Sequence, residues 1–308
     1  MPEHPGPDIS VILCTYNHEP FVAHAIDTVL TQHTEYTFEL IISEDASTDR
    51  TTDIVREAAS RDPRIRLFLS PVNLRSNEVV ARGIRAARGR YMCLLDGDDH
   101  WLVRDKLERQ ARLLDHHLDA SACFHNALIV RDGMETSDTR WTPATQPYRT
   151  NSFDIWRGNP FATAAGMIRT ASLFRLGRWY EAMFPITDWP LYILSSETGD
   201  LLFIDEPVAA YRLHEGGMFT SLPGRAKLDM ISRTYRAMDE AFEGHRRLHA
   251  RNGSRDYFLG WAERYFGLGD RKEAWHCLKL AIRTGGIPFG ISPARRWVRA
   301  IGCGTGWR

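Results

Sequence analysis

The stretch CLLDGDDHW, residues 93–101, places three carboxylates, Asp96, Asp98 and Asp99, directly after an apolar run. Like charges this close raise one another's pKa or recruit a cation. Oxygen ligands from several carboxylates suit a hard divalent ion such as Mg²⁺ or Mn²⁺. The plain alternative is an acidic turn that ends a strand. Two more polar clusters follow apolar runs, CTYNHE at 14–19 and SEDASTD at 43–49, and a lone carboxylate, Asp188, precedes the apolar stretch 189–196. That aspartate stands where a helix cap is expected. His214, in YRLHEGG, could serve as a metal or phosphate ligand or stay solvated.

The elements that must hold these groups alternate in period. Apolar residues predict strands at Ile9 to Cys14, Phe38 to Ile42, Ile65 to Leu69 and Tyr91 to Leu95. Between them, helical spacing predicts helices at 21–30, Thr52 to Ala59 and Val79 to Ala87. Strands separated by helices imply a mostly parallel sheet with right-handed crossovers, flanked by helices in an α/β fold. Ligands of such sheets bind beyond the carboxyl ends of the strands, so the three polar clusters are expected to converge.

Further along, the pattern predicts a helix over 104–118, a strand over Ala120 to Val130, a strand at Ala165 to Ile168, a short helix at Ala171 to Leu176, a helix at Trp189 to Ser196 and a last strand at Leu201 to Ile204. Residues 131–163, rich in Thr, Pro and Asp, are expected to form a hairpin or loops over the site. From about Leu222 the composition turns helical, and FLGWAERYFGLGDRKEAWHCLKLAI resembles a single tetratricopeptide helix pair. The expected division is a catalytic domain over 1–221 and a helical C-terminal region over 222–308.

The totals are those of an ordinary globular chain: 308 residues, 43% hydrophobic and 25% charged. No run of about 18 apolar residues and no secretory signal pattern occurs, so the chain is expected to stay in the cytoplasm. Five scattered cysteines without a CxxC pair argue for reduced thiols rather than a disulfide framework or structural zinc. Net charge is zero, but from Arg225 onward 17 Lys plus Arg face 8 Asp plus Glu. Within that tail Arg295, Arg296, Trp297, Val298, Arg299 and Ile301 suggest peripheral contact with the inner face of a membrane, against a plain solvated basic surface. The basic excess lies outside the polar clusters, and nucleic acid is not an expected partner.

From Ile9 to Gly216 the ordered motifs resemble the inverting family 2 glycosyltransferases of the GT-A fold. The resemblance implies transfer of a sugar from a nucleotide-diphosphate sugar, a UDP-sugar by expectation, to an acceptor hydroxyl on a saccharide, a lipid-linked saccharide, a small molecule or a protein. It implies a divalent metal, Mn²⁺ or Mg²⁺, and a place in polysaccharide, glycolipid or glycoconjugate assembly. VILCTYNHE is similar to the family's opening strand and loop, which implies nucleotide contacts from Thr15, Tyr16, Asn17 and Glu19. SEDASTDRT is similar to the family's DDxSxD segment and implies that Asp45 binds the uracil ring, with Glu44 keeping the charge of the first position. DGDDHW resembles the DxD region, which implies ribose contact at Asp96 and Gly97 and metal ligation by Asp98 or Asp99. His214 matches a position that helps bind metal or diphosphate, and Asp188 matches the catalytic base. The family's Asn, Gly and Asn pattern departs here to Asn73, Arg75 and Ala81, with Gly83 kept. Arg75 therefore stands as a candidate donor contact or a surface arginine.

Two other classes compete. A nucleotidyltransferase would place a glycine-rich phosphate loop after the first strand, and CTYNHEPF has no glycine. A non-catalytic sugar-nucleotide binder would have lost its base or metal carboxylates, and both are present. A DxDx(T/V) phosphohydrolase would carry Thr or Val where His100 stands.

Overall fold

The structure, a computed structural model, describes residues 6–131, 138–174, 176–217 and 222–285. The proposed membrane-facing residues 295–301 lie outside the described residues. The chain divides into two compact units, residues 1–152 with 160–220, and 153–159 with 221–308.

The first unit opens with strand β1 (Ile9–Thr15), helix α1 (Val22–Leu30), β2 (Phe38–Glu44), α2 (Thr51–Arg61), β3 (Ile65–Leu69), α3 (Glu78–Ala86) and β4 (Tyr91–Asp96). These four strands pair in parallel in the order β3, β2, β1, β4. Central β1 is apolar along nearly its whole length because both its faces are covered, as in parallel sheets generally. Each fully buried Ile, Val or Leu there contributes about 1.5–3 kcal/mol. Helix α3 lies close on β1 because Gly83 carries no side chain, and a Cβ at that position would stand 2.6 Å from Ile12 Cγ2.

Beyond β4 short antiparallel pairings join a sheet whose long ladders are parallel, as expected. The chain continues through β5 (His100–Trp101), α4 (Lys106–His116), β6 (Ala120–Arg131), β7 (Arg149–Thr150), the single turn α5 (Ser152–Ile155), β8 (Gly166–Arg169), α6 (Trp189–Ser196) and β9 (Asp200–Leu213). Strand β8 is antiparallel to both β4 and β6, while β9 runs parallel to β6 and antiparallel to β5 and β7. The expected strand at 201–204 is the start of a strand of 14 residues. Its polar and proline interruptions at 205–207 break the alternation but coincide with register shifts against β6 that the ladder absorbs. The expected short helix at 171–176 is a 3-10 turn at Thr170–Leu173.

The second unit contains α7 (Gly224–Ala241), α8 (Gly244–Gly267) and α9 (Arg271–Gly285), together with residues 153–159. Helices α8 and α9 form the expected hairpin, joined by a turn in which Gly269 takes φ +80°. Trp156 is buried within this unit and its carbonyl accepts a hydrogen bond from Tyr235 Oη at 2.9 Å. The four described cysteines, Cys14, Cys93, Cys123 and Cys277, are free thiols. No helix among the described residues is long and apolar enough to cross a membrane.

Candidate active site

The carboxyl ends of β1, β2 and β4 carry the three polar clusters, and side chains tie two of them together. Asn17 donates its N–H to Ser47 Oγ at 2.9 Å and accepts the N–H of Thr48 on Oδ1 at 2.8 Å. His18 N–H is donated to Thr51 Oγ1 and Glu19 N–H to Asp49 Oδ2, while Glu19 Oε2 accepts from Arg50 N. The side chains of Asn17 and Glu19, expected to contact nucleotide, thus brace the loop after β1 against the loop after β2. Tyr16 is exposed on the same loop, and Thr15 is buried with its hydroxyl 3.2 Å from His18 Nδ1.

Asp45 is 6% exposed and already engaged. Its carboxylate accepts from Ser70 Oγ at 2.9 Å and from Leu74 N at 3.0 Å. Behind it Arg82 of α3, which lies outside the sequence motifs, donates to Ser43 Oγ, Ser70 Oγ and the Glu44 carbonyl. The signal for Arg82 was a lone cation between Ala81 and Gly83, both buried. Arg75 is exposed at φ 45°, its N–H bonded to Asn73 Oδ1.

The turn after β4 depends on a glycine. A Cβ at Gly97 would lie 2.6 Å from Thr15 Oγ1 and 2.8 Å from His18 Nδ1, so only glycine lets the acidic turn close on the β1 loop. The three aspartates then part ways. Asp98 Oδ2 lies 2.9 Å from His214 Nε2, beyond the end of β9, and 3.7 Å from His18 Nε2. Burial alone would raise the Asp98 carboxyl, but the His214 hydrogen bond and the fields of His18 and His214 hold it below the ordinary carboxylate value. Asp99 is 2% exposed. Its Oδ1 accepts the N–H of Arg212 at 2.9 Å and its Oδ2 is buried without a hydrogen-bond partner. Burial, then the fields of Asp98 and Asp96, push the Asp99 carboxyl well upward. Asp96 is half-buried, and burial followed by the fields of Asp98 and Asp188 pushes it up to about 8.

Asp188 stands at the N-cap of α6, where its Oδ1 accepts from Trp189 N at 2.6 Å and its Oδ2 from Thr163 Oγ1 at 3.0 Å. It raises the pKa of Asp96, so the proposed base shares the electrostatic neighbourhood of the DGD turn. Arg212 and His18 were missed in the sequence. Arg212 holds the turn through its Nε to the Asp98 carbonyl at 2.9 Å and lies over the Phe21 ring at 4.8 Å. His18 is pushed below its ordinary value by burial, against the opposing field of Asp98.

Asp98 and His214 offer one oxygen and one nitrogen donor within hydrogen-bond distance of each other. Among the described residues no three His, Cys, Asp or Glu side chains form a cation cage. A two-donor protein site fits a divalent ion that fills its remaining positions with substrate phosphate oxygens and water, the habit of Mg²⁺ at phosphate sites.

An uncharacterized protein of Mycobacterium tuberculosis strain H37Rv is 29% identical over 313 residues, covering 97% of this chain and 85% of that protein. The crystal structure of Staphylococcus aureus TarS 1–349 with UDP-GlcNAc superposes with a TM-score of 0.59 at 15% identity, over 96% of this chain and 92% of that one. The mannosyltransferase PcManGT from Pyrobaculum calidifontis, in complex with GDP-Man and Mn²⁺, gives 0.57 at 18% identity, over 98% and 82%. These likenesses fix the fold as GT-A. Residues 10–175, more than half of the 308, match the family described as glycosyl transferase family 2. The chain therefore belongs to glycosyl transferase family 2 and is a sugar-transferring enzyme.

Proposed function

We propose that the chain moves a sugar from a UDP-sugar to an acceptor hydroxyl on a saccharide or glycolipid, with inversion at the anomeric carbon and with a divalent cation. The observation that carries this reading is the gathering of Asp96 and Asp98 at the end of β4 with Asp188 at the start of α6, and the pairing of Asp98 with His214 at 2.9 Å. Such a concentration of negative charge suits a site completed by a cation and a diphosphate.

Asp98 and His214 would hold the cation, which offsets the charge of the departing diphosphate. Asp99 is then a positioning group that fixes Arg212, which narrows the Asp98 or Asp99 alternative to Asp98. Asp45, set by Ser70 and Leu74, presents a fixed acceptor for the imide N–H of uracil. Thr15, Tyr16, Asn17, Glu19, Asp96 and Gly97 shape the floor for base and ribose, and Arg75 lies where an exposed cation could reach the donor. Asp188 takes the proton of the acceptor hydroxyl. As it does so, the hydroxyl oxygen bonds to the anomeric carbon and the bond from that carbon to the diphosphate oxygen breaks, on opposite faces. The nucleoside diphosphate leaves with the electron pair.

The test is titration of UDP, UDP-glucose, UDP-N-acetylglucosamine and GDP-mannose by calorimetry with and without Mn²⁺, on the parent chain, Asp98→Asn and Asp99→Asn. The expected result is cation-dependent binding of uridine nucleotides that is lost in Asp98→Asn and kept in Asp99→Asn. Equal loss in both variants, or affinity indifferent to chelator, overturns the cation assignment.

A further inference from the structure

Three consecutive carbonyls, those of Ala164, Ala165 and Gly166, are each taken by a buried side chain from elsewhere in the first unit. Trp101 Nε1 donates to Ala164 O at 3.0 Å, Gln110 Nε2 to Ala165 O at 2.8 Å and Lys106 Nζ to Gly166 O at 3.2 Å. Lys106 is fully buried, a costly place for an ammonium unless every donor is met. Its remaining contacts are Gln110 Oε1 at 2.7 Å, Cys93 Sγ at 3.7 Å and the face of the Trp101 ring at 4.3 Å.

This lysine sets the others in order. An ammonium only donates, so Gln110 must turn its carbonyl oxygen to Lys106 and its NH₂ the other way, toward Ala165 O and His125 Nδ1 at 3.2 Å. The His125 nitrogen must then be an acceptor, which a buried neutral imidazole supplies.

The captured segment has little structure of its own. Residues Thr163–Ala165 form one 3-10 turn that runs straight into β8. From that turn the Thr163 hydroxyl donates to Asp188 Oδ2, while Trp189 N holds Oδ1. The carboxylate is therefore oriented from two sides, and one of those sides is only as fixed as the 163–166 turn.

We propose that Lys106, acting with Gln110 and Trp101, is a positioning residue for sugar transfer, which fixes the 163–166 turn and through Thr163 the carboxylate of Asp188. This rests on the reading of Asp188 as the base. A lysine that only filled the core would leave the transfer rate unchanged when replaced by an apolar side chain of similar length, whatever the replacement cost in stability.

The experiment measures nucleotide release from the best donor of the panel above, UDP affinity with Mn²⁺, and Tm, in Lys106→Met, Thr163→Val, Thr163→Ser and Asp188→Asn of the full chain. Lys106→Met strips the donor from Gly166 O and Gln110 Oε1 and is expected to lower Tm by a few degrees, and to hold UDP affinity within about 2-fold, yet to lose on the order of 10-fold or more in kcat, because small misplacements of a catalytic group are expensive. Thr163→Val should reproduce the loss, and Thr163→Ser, which keeps the hydroxyl, should recover most of it. Parent kcat in both Lys106→Met and Thr163→Val, with Asp188→Asn inactive, overturns the positioning role alone. Parent kcat in Asp188→Asn removes the base and this proposal together, so the two failures are read from different variants. Should Lys106→Met fail to fold, the contrast between Thr163→Val and Thr163→Ser still decides.

Discussion

Asp188→Asn separates the two roles an aspartate at a helix start can hold. Its Oδ1 accepts from Trp189 N at 2.6 Å, and an asparagine carbonyl oxygen can accept the same bond. Asn and Asp are near equals at this position, so the cap loses only a few tenths of a kcal/mol. In a chain of this size that is about 1 °C in Tm, or less. The second bond, from Thr163 Oγ1 at 3.0 Å, survives by reversal, because the hydroxyl accepts from the new amide as readily as it donated to the carboxylate. Geometry is thus kept while basicity is removed. General-base loss costs about 10²–10⁴-fold in kcat, equivalent to about 3–5 kcal/mol at 1.36 kcal/mol per decade. The assay is nucleotide release under saturating donor, alongside UDP affinity by calorimetry and a thermal melt. A variant with parent turnover refutes the base assignment and returns Asp188 to capping. A loss of rate matched by a loss of UDP affinity or a drop of many degrees in Tm refutes the geometric argument instead. The anomeric configuration of the product, read by NMR with the parent enzyme, checks inversion.

Two further outcomes follow from the acidic turn. Gly97→Ala forces a methyl to within 2.6 Å of Thr15 Oγ1, so it is expected to cost about 1–3 kcal/mol, seen as a fall of several degrees in Tm. An unchanged melt would show that the β1 loop yields more easily than its packing suggests. Asp96, raised from 3.8 to about 8 by burial and by Asp98 and Asp188, holds a proton in the folded chain that the unfolded chain has released between those two values. Without ligand its contribution therefore lowers stability as pH rises through that window, because the folded state binds more protons there. Asp96→Asn removes the titration, so its Tm should fall less than the parent's between pH 5 and 8, and parallel curves would refute the assigned shift.

Much of this protein is local and was readable in the chain. The alternation of period 2 and period 3.6 located β1 through β4 and their helices to within a residue or two, because each element buries one face or both and its apolar spacing records which. The acidic turn, the loop clusters and the helix start at Asp188 were legible for the same reason. They are short motifs whose residue types are dictated by strand ends and caps. What the chain could not disclose are choices made between distant segments. His214 meets Asp98 across 116 positions, a pairing that the local count of carboxylates does not contain. That Asn17 and Glu19 also brace the neighbouring loop was hidden, because two adjacent strand ends leave backbone N–H groups that something must satisfy. The mixed half of the sheet was hidden because pairing direction depends on where a connection returns, not on strand composition. Lys106 reads as one charge in a charged helix, and only tertiary packing against Cys93, the Trp101 ring and the Gly166 carbonyl buries it.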